Sequence, residues 1–218
     1  GTHDLDASVE RIAADIAAME TRGAAAIADA AADALRQQAE HSDAETPEAF
    51  RAELRAAARR LLETRPTAVS LPNALRYVLQ RMNGDGVETL RRNTVAGAEE
   101  FRERLDRAQA DLGRVGANRL RDGDRIMTHC HSTDVLACVE TAREQGKELS
   151  AIVKETRPRN QGRLTAERLV ELGVDVTLIV DSAARRYLND VDHVLAGADA
   201  IAADGSVVNK IGTAGLPV

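Results

Sequence analysis

The spacing of apolar side chains divides the chain into two parts near residue 120. Upstream, apolar residues recur every three or four positions, as at Leu5, Val9 and Ile12, which is the period of an amphipathic helix. Downstream, short runs rich in β-branched residues alternate with helical patterns, which is typical of parallel strands joined by crossover helices. We therefore predict an α/β chain, with a helical domain over residues 1–119 and a Rossmann-like parallel-sheet domain over residues 120–218.

The upstream pattern predicts five helices. The segment Thr46-Pro47-Glu48 marks the start of the third, because proline suits the first helical position. The breaker at residues 83–86 separates the fourth helix from a long fifth one. The predicted helices cover residues 5–19, 24–40, 46–63, 73–82 and 87–118.

The downstream pattern predicts a parallel sheet with short connections. Ser182 is a suitable N-cap for the shortest helix, and the turn signal at residues 202–206 precedes a short strand at Val207 and Val208. The predicted strands cover residues 125–128, 149–154, 174–180 and 193–196, and the predicted helices cover residues 134–145, 162–172 and 182–188.

Composition narrows the classes of protein. Hydrophobic residues make up 44% and charged residues 29% of 218 residues, as in soluble globular chains. Only 2% of residues are aromatic and the net charge is −6, so we expect no nucleic acid partner and no membrane partner. The two cysteines form no disulfide framework and no apolar run is long enough to span a membrane, so we expect a cytoplasmic protein.

The densest group of reactive side chains lies at residues 129–133, between a predicted strand and a predicted helix. In an open α/β sheet, anionic ligands bind at such a junction, and a helix amino end favours a thiolate. Cys130 is therefore a candidate reactive thiol with a lowered pKa, although an inert buried cysteine is an equally weighted interpretation. We disfavour a metal site at His129, Cys130 and His131, because neighbouring extended residues point to opposite sides and no spaced Cys/His pair follows.

Three further groups of polar residues suit an anionic ligand. Asp199 follows a predicted strand and lies on the same edge of a parallel sheet as Cys130, unless it only caps a turn. Lys210, after Asn209, supplies a point charge for a phosphate, although a surface lysine is ordinary. Each loop arginine taken singly fits solvated surface better than a ligand site, but four of them beside glycine or proline strengthen the case for a doubly anionic substrate; they are Arg22, Arg65, Arg157 and Arg159.

Six segments, taken in order, resemble one protein family. This family unites sugar-phosphate isomerases with the regulatory subunits of eukaryotic initiation factor 2B, and the chain resembles its archaeal members over essentially its whole length. The segments are Arg22-Gly23-Ala24, Thr64-Arg65-Pro66-Thr67, His129-Cys130-His131-Ser132, Glu155-Thr156-Arg157-Pro158, Gly197-Ala198-Asp199 and Asn209-Lys210-Ile211-Gly212-Thr213.

The resemblance implies isomerisation of ribose 1,5-bisphosphate to ribulose 1,5-bisphosphate in AMP salvage, with no metal and no cofactor. It implies that a Cys130 thiolate takes a proton from C2, while a protonated Asp199, its pKa raised by an apolar site, assists ring opening. It also implies a homodimer or larger homo-oligomer and activation by AMP. The implied substrate contacts are Arg22, Gly23, Ala24, Ala25, Arg65, Ser132, Thr133, Asp134, Asn209 and Lys210, with Arg157 and Arg159 as further phosphate or effector contacts.

Other functions stay open at this point. A 5-methylthioribose-1-phosphate isomerase shares the Cys/Asp pair, but its substrate lacks the second phosphate that the arginines favour. A regulatory subunit that binds initiation factor 2 needs neither Cys130 nor Asp199. A nucleotide-binding oxidoreductase is disfavoured because no Gly-x-Gly-x-x-Gly follows a strand. Because the family's domain continues beyond residue 218, we also expect the sheet domain to be incomplete at its carboxyl end.

Overall fold

The structure is a computed structural model that describes residues 5–216. It divides into two compact units, one up to Asp106 and one from Arg107. In the described residues, the first unit is built from α1 (Ala7–Ala17), α2 (Ala24–His41), α3 (Pro47–Leu62), α4 (Ser70–Arg81) and most of α5 (Val87–Ala117).

The helices of the first unit follow the predicted pattern closely. Thr46 caps α3, accepting a hydrogen bond from the Ala49 N–H at 3.2 Å, with Pro47 as the first helical residue, as predicted. Helix α4 begins at Ser70, three residues before the predicted start, because Pro72 fits within a first helical turn, where its missing N–H costs nothing. The core is made by α2 alanines and by larger side chains such as Phe50 and Leu54, all buried.

The second unit contains the predicted parallel sheet. Its four strands lie in the order β3-β2-β1-β4, and every neighbouring pair is parallel. A separate antiparallel pair, β5 with β6, follows. The elements are β1 (Arg125–His129), α6 (Thr133–Glu144), β2 (Ser150–Lys154), α7 (Gln161–Glu171), β3 (Asp175–Ile179), α8 (Ala184–Tyr187), β4 (His193–Val194), β5 (Ala200–Ile201) and β6 (Val207–Val208).

Two local predictions in this unit are wrong. Ser182 is no N-cap, because it lies inside a 3₁₀ turn, Asp181–Ala183, that precedes α8. Strand β4 has two residues, His193 and Val194, where the sequence predicted four.

The strand order places the end of β1 at a functionally favourable point. The chain adds β2 and β3 on one side of β1 and then returns to add β4 on the other side. In open α/β sheets, ligands bind at such a switch point, outside the carboxyl ends of the strands. Cys130 is the first residue after β1 and therefore lies at this point.

A close contact seats α7 on the sheet. A side chain at Gly162 would place its Cβ 1.7 Å from the Lys154 carbonyl oxygen, so only glycine lets the helix start so near β2. None of the helices in residues 5–216 has a stretch that is long and apolar enough to cross a bilayer.

Candidate active site

The loop after β1 holds Cys130 in a defined conformation. Cys130 is half-buried and adopts a positive φ of 61°, a conformation that costs free energy for a non-glycine residue. Its N–H donates to Oγ1 of Thr156 at 2.7 Å, and its carbonyl accepts from Oγ1 of Thr165 at 2.7 Å. Hydrogen bonds from two neighbouring segments therefore hold the backbone of the loop at Cys130.

The surroundings of the Cys130 thiol favour its neutral form. Burial raises the pKa of the thiol above its ordinary 9.0, and the Asp199 carboxylate raises it further, while the His131 N–H and Lys210 lower it. The expected lowering by the helix end is wrong, because α6 begins only at Thr133 and desolvation outweighs the favourable charges. The Sγ atom lies 3.6 Å from Oε1 of Gln161, which accepts its weak hydrogen bond.

The two histidines beside Cys130 have separate partners. Nε2 of His129 lies 2.8 Å from Oγ1 of Thr213, and Nδ1 of His131 lies 3.0 Å from Oγ1 of Thr165. In the part of the chain that is described, no group of three or more His, Cys, Asp or Glu side chains is arranged to hold a metal ion. His129 therefore contacts the loop after β6, and His131 contacts α7.

Asp199 lies beside this loop, in the segment after β4. A Cβ on Gly197 would lie 2.8 Å from Oγ of Ser132, so the absence of a side chain lets this segment approach the β1–α6 junction. The effect of Asp199 on the pKa of Cys130 shows that the carboxylate and the thiol are within electrostatic reach. Asp199 and Ala198 are exposed, so the described residues do not form the predicted apolar enclosure around the carboxyl.

A cavity of about 600 Å³ is lined by residues of α5, of α6 and of the segment after β4, and its described lining does not include Cys130. Its wall includes Asp134 and the stretch 194–201, which carries Asp199. The N-cap of α6 is Ser132, whose Oγ accepts from the Val135 N–H at 3.3 Å, and Thr133 is the first residue of the helix. The predicted group Ser132, Thr133 and Asp134 thus forms a helix amino end, which suits an anion.

The loop that carries Asn209 and Lys210 completes this part of the site. Both residues are half-buried, and Lys210 acts on the Cys130 thiol through its charge. The structure therefore brings Cys130, Asp199 and Lys210 together, although 80 residues separate the first from the last.

Arg157 and Arg159 lie in the turn before α7, and both are exposed. The Asp181 carboxylate accepts hydrogen bonds from the backbone N–H groups of Thr156 at 2.9 Å and Arg157 at 2.7 Å, which orders the turn. Asp181 is not among the residues predicted for the site. The signal was present, because Asp181 follows strand β3 just as Asp199 follows β4.

The remaining predicted contacts belong to the first unit. Gly23 is the N-cap of α2 with a φ of 91°, and Ala24 and Ala25 form its first turn without a side-chain cap. Arg22, just before it, and Arg65, between α3 and α4, are both half-buried. Uncapped N–H groups next to an arginine make this helix end a second anion-binding candidate.

Comparison with known proteins identifies the family. A family model described as the initiation factor 2 subunit family matches residues 20–218. The chain belongs to the initiation factor 2 subunit family. The predicted resemblance to this family is thereby confirmed.

Members of this family with different names resemble the chain. It is 75% identical to ribose 1,5-bisphosphate isomerase of Haloferax volcanii, over 96% of the chain and 65% of that protein, so it spans about two thirds of the length of this relative. The structure of translation initiation factor eIF-2B from Pyrococcus horikoshii OT3 matches 97% of the chain and 74% of its own, with a TM-score of 0.85 and 28% identity. The structure of 5-methylthioribose 1-phosphate isomerase from the same organism covers 95% of the chain and 62% of its own length, with a TM-score of 0.81 and 35% identity.

Proposed function

We propose that this protein is an aldose–ketose isomerase that converts ribose 1,5-bisphosphate to ribulose 1,5-bisphosphate. The observation that carries the proposal is the 75% identity to a protein of that name over 96% of the chain. The site agrees with it, because a thiol, a carboxyl and an ammonium group meet at the carboxyl edge of the sheet. A subunit that only bound another protein would not need this combination.

The proposed reaction uses Cys130 and Asp199 as an acid–base pair. The reactive state forms when the neutral Cys130 thiol passes its proton to the Asp199 carboxylate. Asp199 then donates this proton to the ring oxygen as the bond between C1 and that oxygen breaks, and the Cys130 thiolate removes the proton from C2. The resulting enol then takes a proton at C1 from Cys130, while its C2 hydroxyl returns a proton to Asp199. Both groups end in their starting states, and C2 has become a ketone.

The charge of Lys210 assists this chemistry. Burial holds the pKa of the Cys130 thiol high, so the free protein contains little thiolate, and the Lys210 ammonium offsets part of that cost. An approaching phosphate is held by the same cation. We assign the phosphate and hydroxyl contacts to Lys210 and to Arg22, Gly23, Ala24, Ala25, Arg65, Ser132, Thr133, Asp134 and Asn209, with Arg157 and Arg159 as further phosphate or effector contacts.

The wider setting follows from the same family resemblance. We place the reaction in AMP salvage in the cytoplasm, with AMP as an activator and a homodimer or larger homo-oligomer as the working form. Each of these is a separate question from the chemistry at Cys130.

The test is turnover by the full-length protein. Incubation with α-ribose 1,5-bisphosphate should give ribulose 1,5-bisphosphate. Phosphorus and carbon NMR should detect the product as it forms. Cys130→Ser and Asp199→Asn should each lower the rate roughly 10²- to 10⁴-fold, the usual contribution of a general acid or base. Cys138→Ser is the comparison for the loss of a thiol: Cys138 is buried on α6 and lines the cavity but has no role in the proposed proton transfer, so its substitution should lower the rate much less than Cys130→Ser. Absence of product from a folded wild-type protein overturns the assignment.

A second candidate is 5-methylthioribose-1-phosphate isomerase. It is favoured by the structure of that name that matches 95% of the chain with a TM-score of 0.81. Presenting both sugars to the same preparation separates the two, because only the bisphosphate engages a second anion site. If only 5-methylthioribose 1-phosphate is turned over, the proposed substrate changes, whereas the proposed catalytic pair stays the same.

A further inference from the structure

The last residues of the two central strands form a buried polar pair. His129 ends β1 and Lys154 ends β2, and the two are register partners, so their side chains project from the same face of the sheet. They are 1% and 3% exposed. Neither belongs to the groups assigned above to the substrate or to proton transfer.

Both side chains reach the loop that follows β6. Nε2 of His129 lies 2.8 Å from Oγ1 of Thr213, and Nζ of Lys154 donates to the carbonyl oxygen of Gly212 at 3.1 Å. This is the loop that carries Asn209 and Lys210. The end of the sheet therefore holds the loop at two adjacent residues.

The hydrogen bonds of Thr213 determine the tautomer of His129. The Thr213 hydroxyl donates its single proton to the Lys210 carbonyl at 2.7 Å, because a carbonyl oxygen can only accept. The hydroxyl is thus an acceptor towards His129, and His129 must donate from Nε2. Nδ1 then carries the lone pair. It is buried and has no partner among residues 5–216.

The surroundings keep this imidazole neutral. The pKa of His129 is lowered to about 4, chiefly by burial and also by the charges of Lys154 and Lys210, while Asp181 opposes this shift. A protonated ring would place a second cation beside buried Lys154 and would leave a buried N–H without an acceptor. The Nε2–H tautomer satisfies every described contact of the ring.

We infer that His129 is a positioning residue, which holds the Asn209–Lys210 loop against the sheet through Thr213. The inference rests on the proposed function, in which that loop contacts the substrate. Asn209 also depends on the arrangement, because its Nδ2 donates to the same Thr213 oxygen at 3.1 Å. One hydroxyl thus joins the end of β1 to both candidate substrate contacts.

Loss of the His129 donor should weaken substrate binding more than it slows chemistry. The loop would lose its connection to β1, whereas Cys130 would keep its own hydrogen bonds to Thr156 and Thr165. A phosphate contact made equally with substrate and transition state acts on KM alone, whereas the effect of Lys210 on the Cys130 thiol acts on kcat, so we expect a large change in KM and a smaller one in kcat. For one lost hydrogen bond we expect KM to rise roughly tenfold.

Two amide substitutions separate the effect of the hydrogen bond that His129 donates from the effect of its ring volume. In His129→Gln the amide nitrogen reaches the position of Nε2, whereas in His129→Asn it reaches only the position of Nδ1. We expect His129→Gln to keep KM within about twofold and kcat near the wild-type value, and His129→Asn to raise KM roughly tenfold with a smaller fall in kcat, because Lys210 also acts on the Cys130 thiol. Thr213→Ser keeps the hydroxyl that accepts this hydrogen bond and Thr213→Val removes it, so the two form the matched pair for the acceptor.

Two measurements do not depend on turnover. Long-range proton–nitrogen NMR of the full-length wild-type protein should show His129 protonated on Nε2 and bare on Nδ1 at pH 7. Amide hydrogen exchange at Thr213, whose N–H donates to the Lys210 carbonyl at 3.2 Å, should accelerate in His129→Asn and stay slow in His129→Gln.

The outcomes distinguish this inference from the proposed function. A wild-type protein without turnover refutes the isomerase assignment, while the NMR and exchange results still decide whether His129 holds the loop. A Nδ1-protonated ring, or equal exchange in the two variants, overturns the positioning role. So does an equal loss of activity in His129→Gln and His129→Asn, since that would show a role for the ring itself.

Discussion

The backbone N–H of Cys130 donates to Oγ1 of Thr156 at 2.7 Å, and both residues have positive φ angles, 61° and 62°. The same Thr156 hydroxyl donates to the Lys154 carbonyl at 3.1 Å. The side chain of Thr156, 3% exposed, thus connects the loop after β1 to the end of β2. Left-handed backbone costs about 1–2 kcal/mol for a non-glycine residue, and these hydrogen bonds offset it.

Replacing Thr156 by valine should free the Cys130 loop. Valine keeps the volume but removes the acceptor, so the Cys130 N–H loses its buried partner. We expect the free energy of unfolding to fall by about 1–3 kcal/mol, and turnover to fall with it. Thr156→Ser keeps the hydroxyl and should stay close to wild type in urea denaturation. A valine variant as stable and active as the serine variant would contradict this role.

Gly162→Ala should destabilise the sheet domain strongly. The new Cβ would lie 1.7 Å from the Lys154 carbonyl oxygen, which is backbone and cannot move aside. We expect a loss of about 3 kcal/mol in the free energy of unfolding, measured in urea. Gly86→Ala is the control, because its Cβ meets nothing within 4 Å, and it should change stability by less than about 0.5 kcal/mol.

His129 should make stability depend on pH in the acidic range. Its pKa is about 4 in the folded protein and 6.5 in a free side chain, so the unfolded chain binds the proton more readily. The contribution of the neutral His129 ring to the free energy of unfolding is fully present above pH 6.5 and is lost as the pH falls through 4. It amounts to about 3 kcal/mol.

Urea denaturation at several pH values between 7 and 4 measures this contribution. The curve of His129→Gln should be flatter than that of wild type, and the difference isolates one group because all others are shared. Parallel curves would show that His129 titrates normally in the folded protein.

The Cys130 thiol should alkylate slowly at neutral pH. Burial holds its pKa above 9.0, so iodoacetamide should react more slowly than with free cysteine at pH 7, and the rate should rise until the pH exceeds 9.0. Lys210→Met removes a charge that lowers this pKa and should move the profile to higher pH, whereas Asp199→Asn should move it to lower pH.

Lys147→Met is the matched control for the loss of a lysine, because Nζ of Lys147 donates to the Ala117 carbonyl at 2.7 Å. Peptide mass spectrometry separates Cys130 from Cys138. A midpoint below 9.0 in the wild-type protein would show that the helix end, and not burial, governs the thiol.

Local patterns were sufficient to predict the parallel sheet and most element boundaries. The apolar period predicted helices and strands because burial on one face acts on residues close in sequence. The same logic placed Cys130 and Asp199 on one edge, since the carboxyl ends of parallel strands meet there. The local pattern failed at Ser182, because the predicted N-cap lies inside a 3₁₀ turn.

The supporting residues could not be read from local pattern. His129, Lys154 and Thr156 end or follow apolar strands, and each is defined by a hydrogen bond to a residue at least 26 positions away. The direction of the Cys130 pKa shift was also predicted wrongly, because residue type and spacing do not report desolvation. Asp181 could have been found, by applying to β3 the rule that found Asp199.

Strand β4 pairs with β1 at two positions, Ile126 with His193 and Met127 with Val194, and the flanking N–H groups of Asp192 and Leu195 donate to β1 carbonyls at 2.8 Å and 2.9 Å. So short a ladder opens at a smaller free-energy cost than the five-residue pairing of β1 with β2. A fluctuation that detached β4 would carry Asp199, the candidate acid, away from Cys130, the candidate base. It would leave the helix and sheet content of the protein almost unchanged. On heating, therefore, we expect catalytic competence to be lost by sub-global opening before the fold melts.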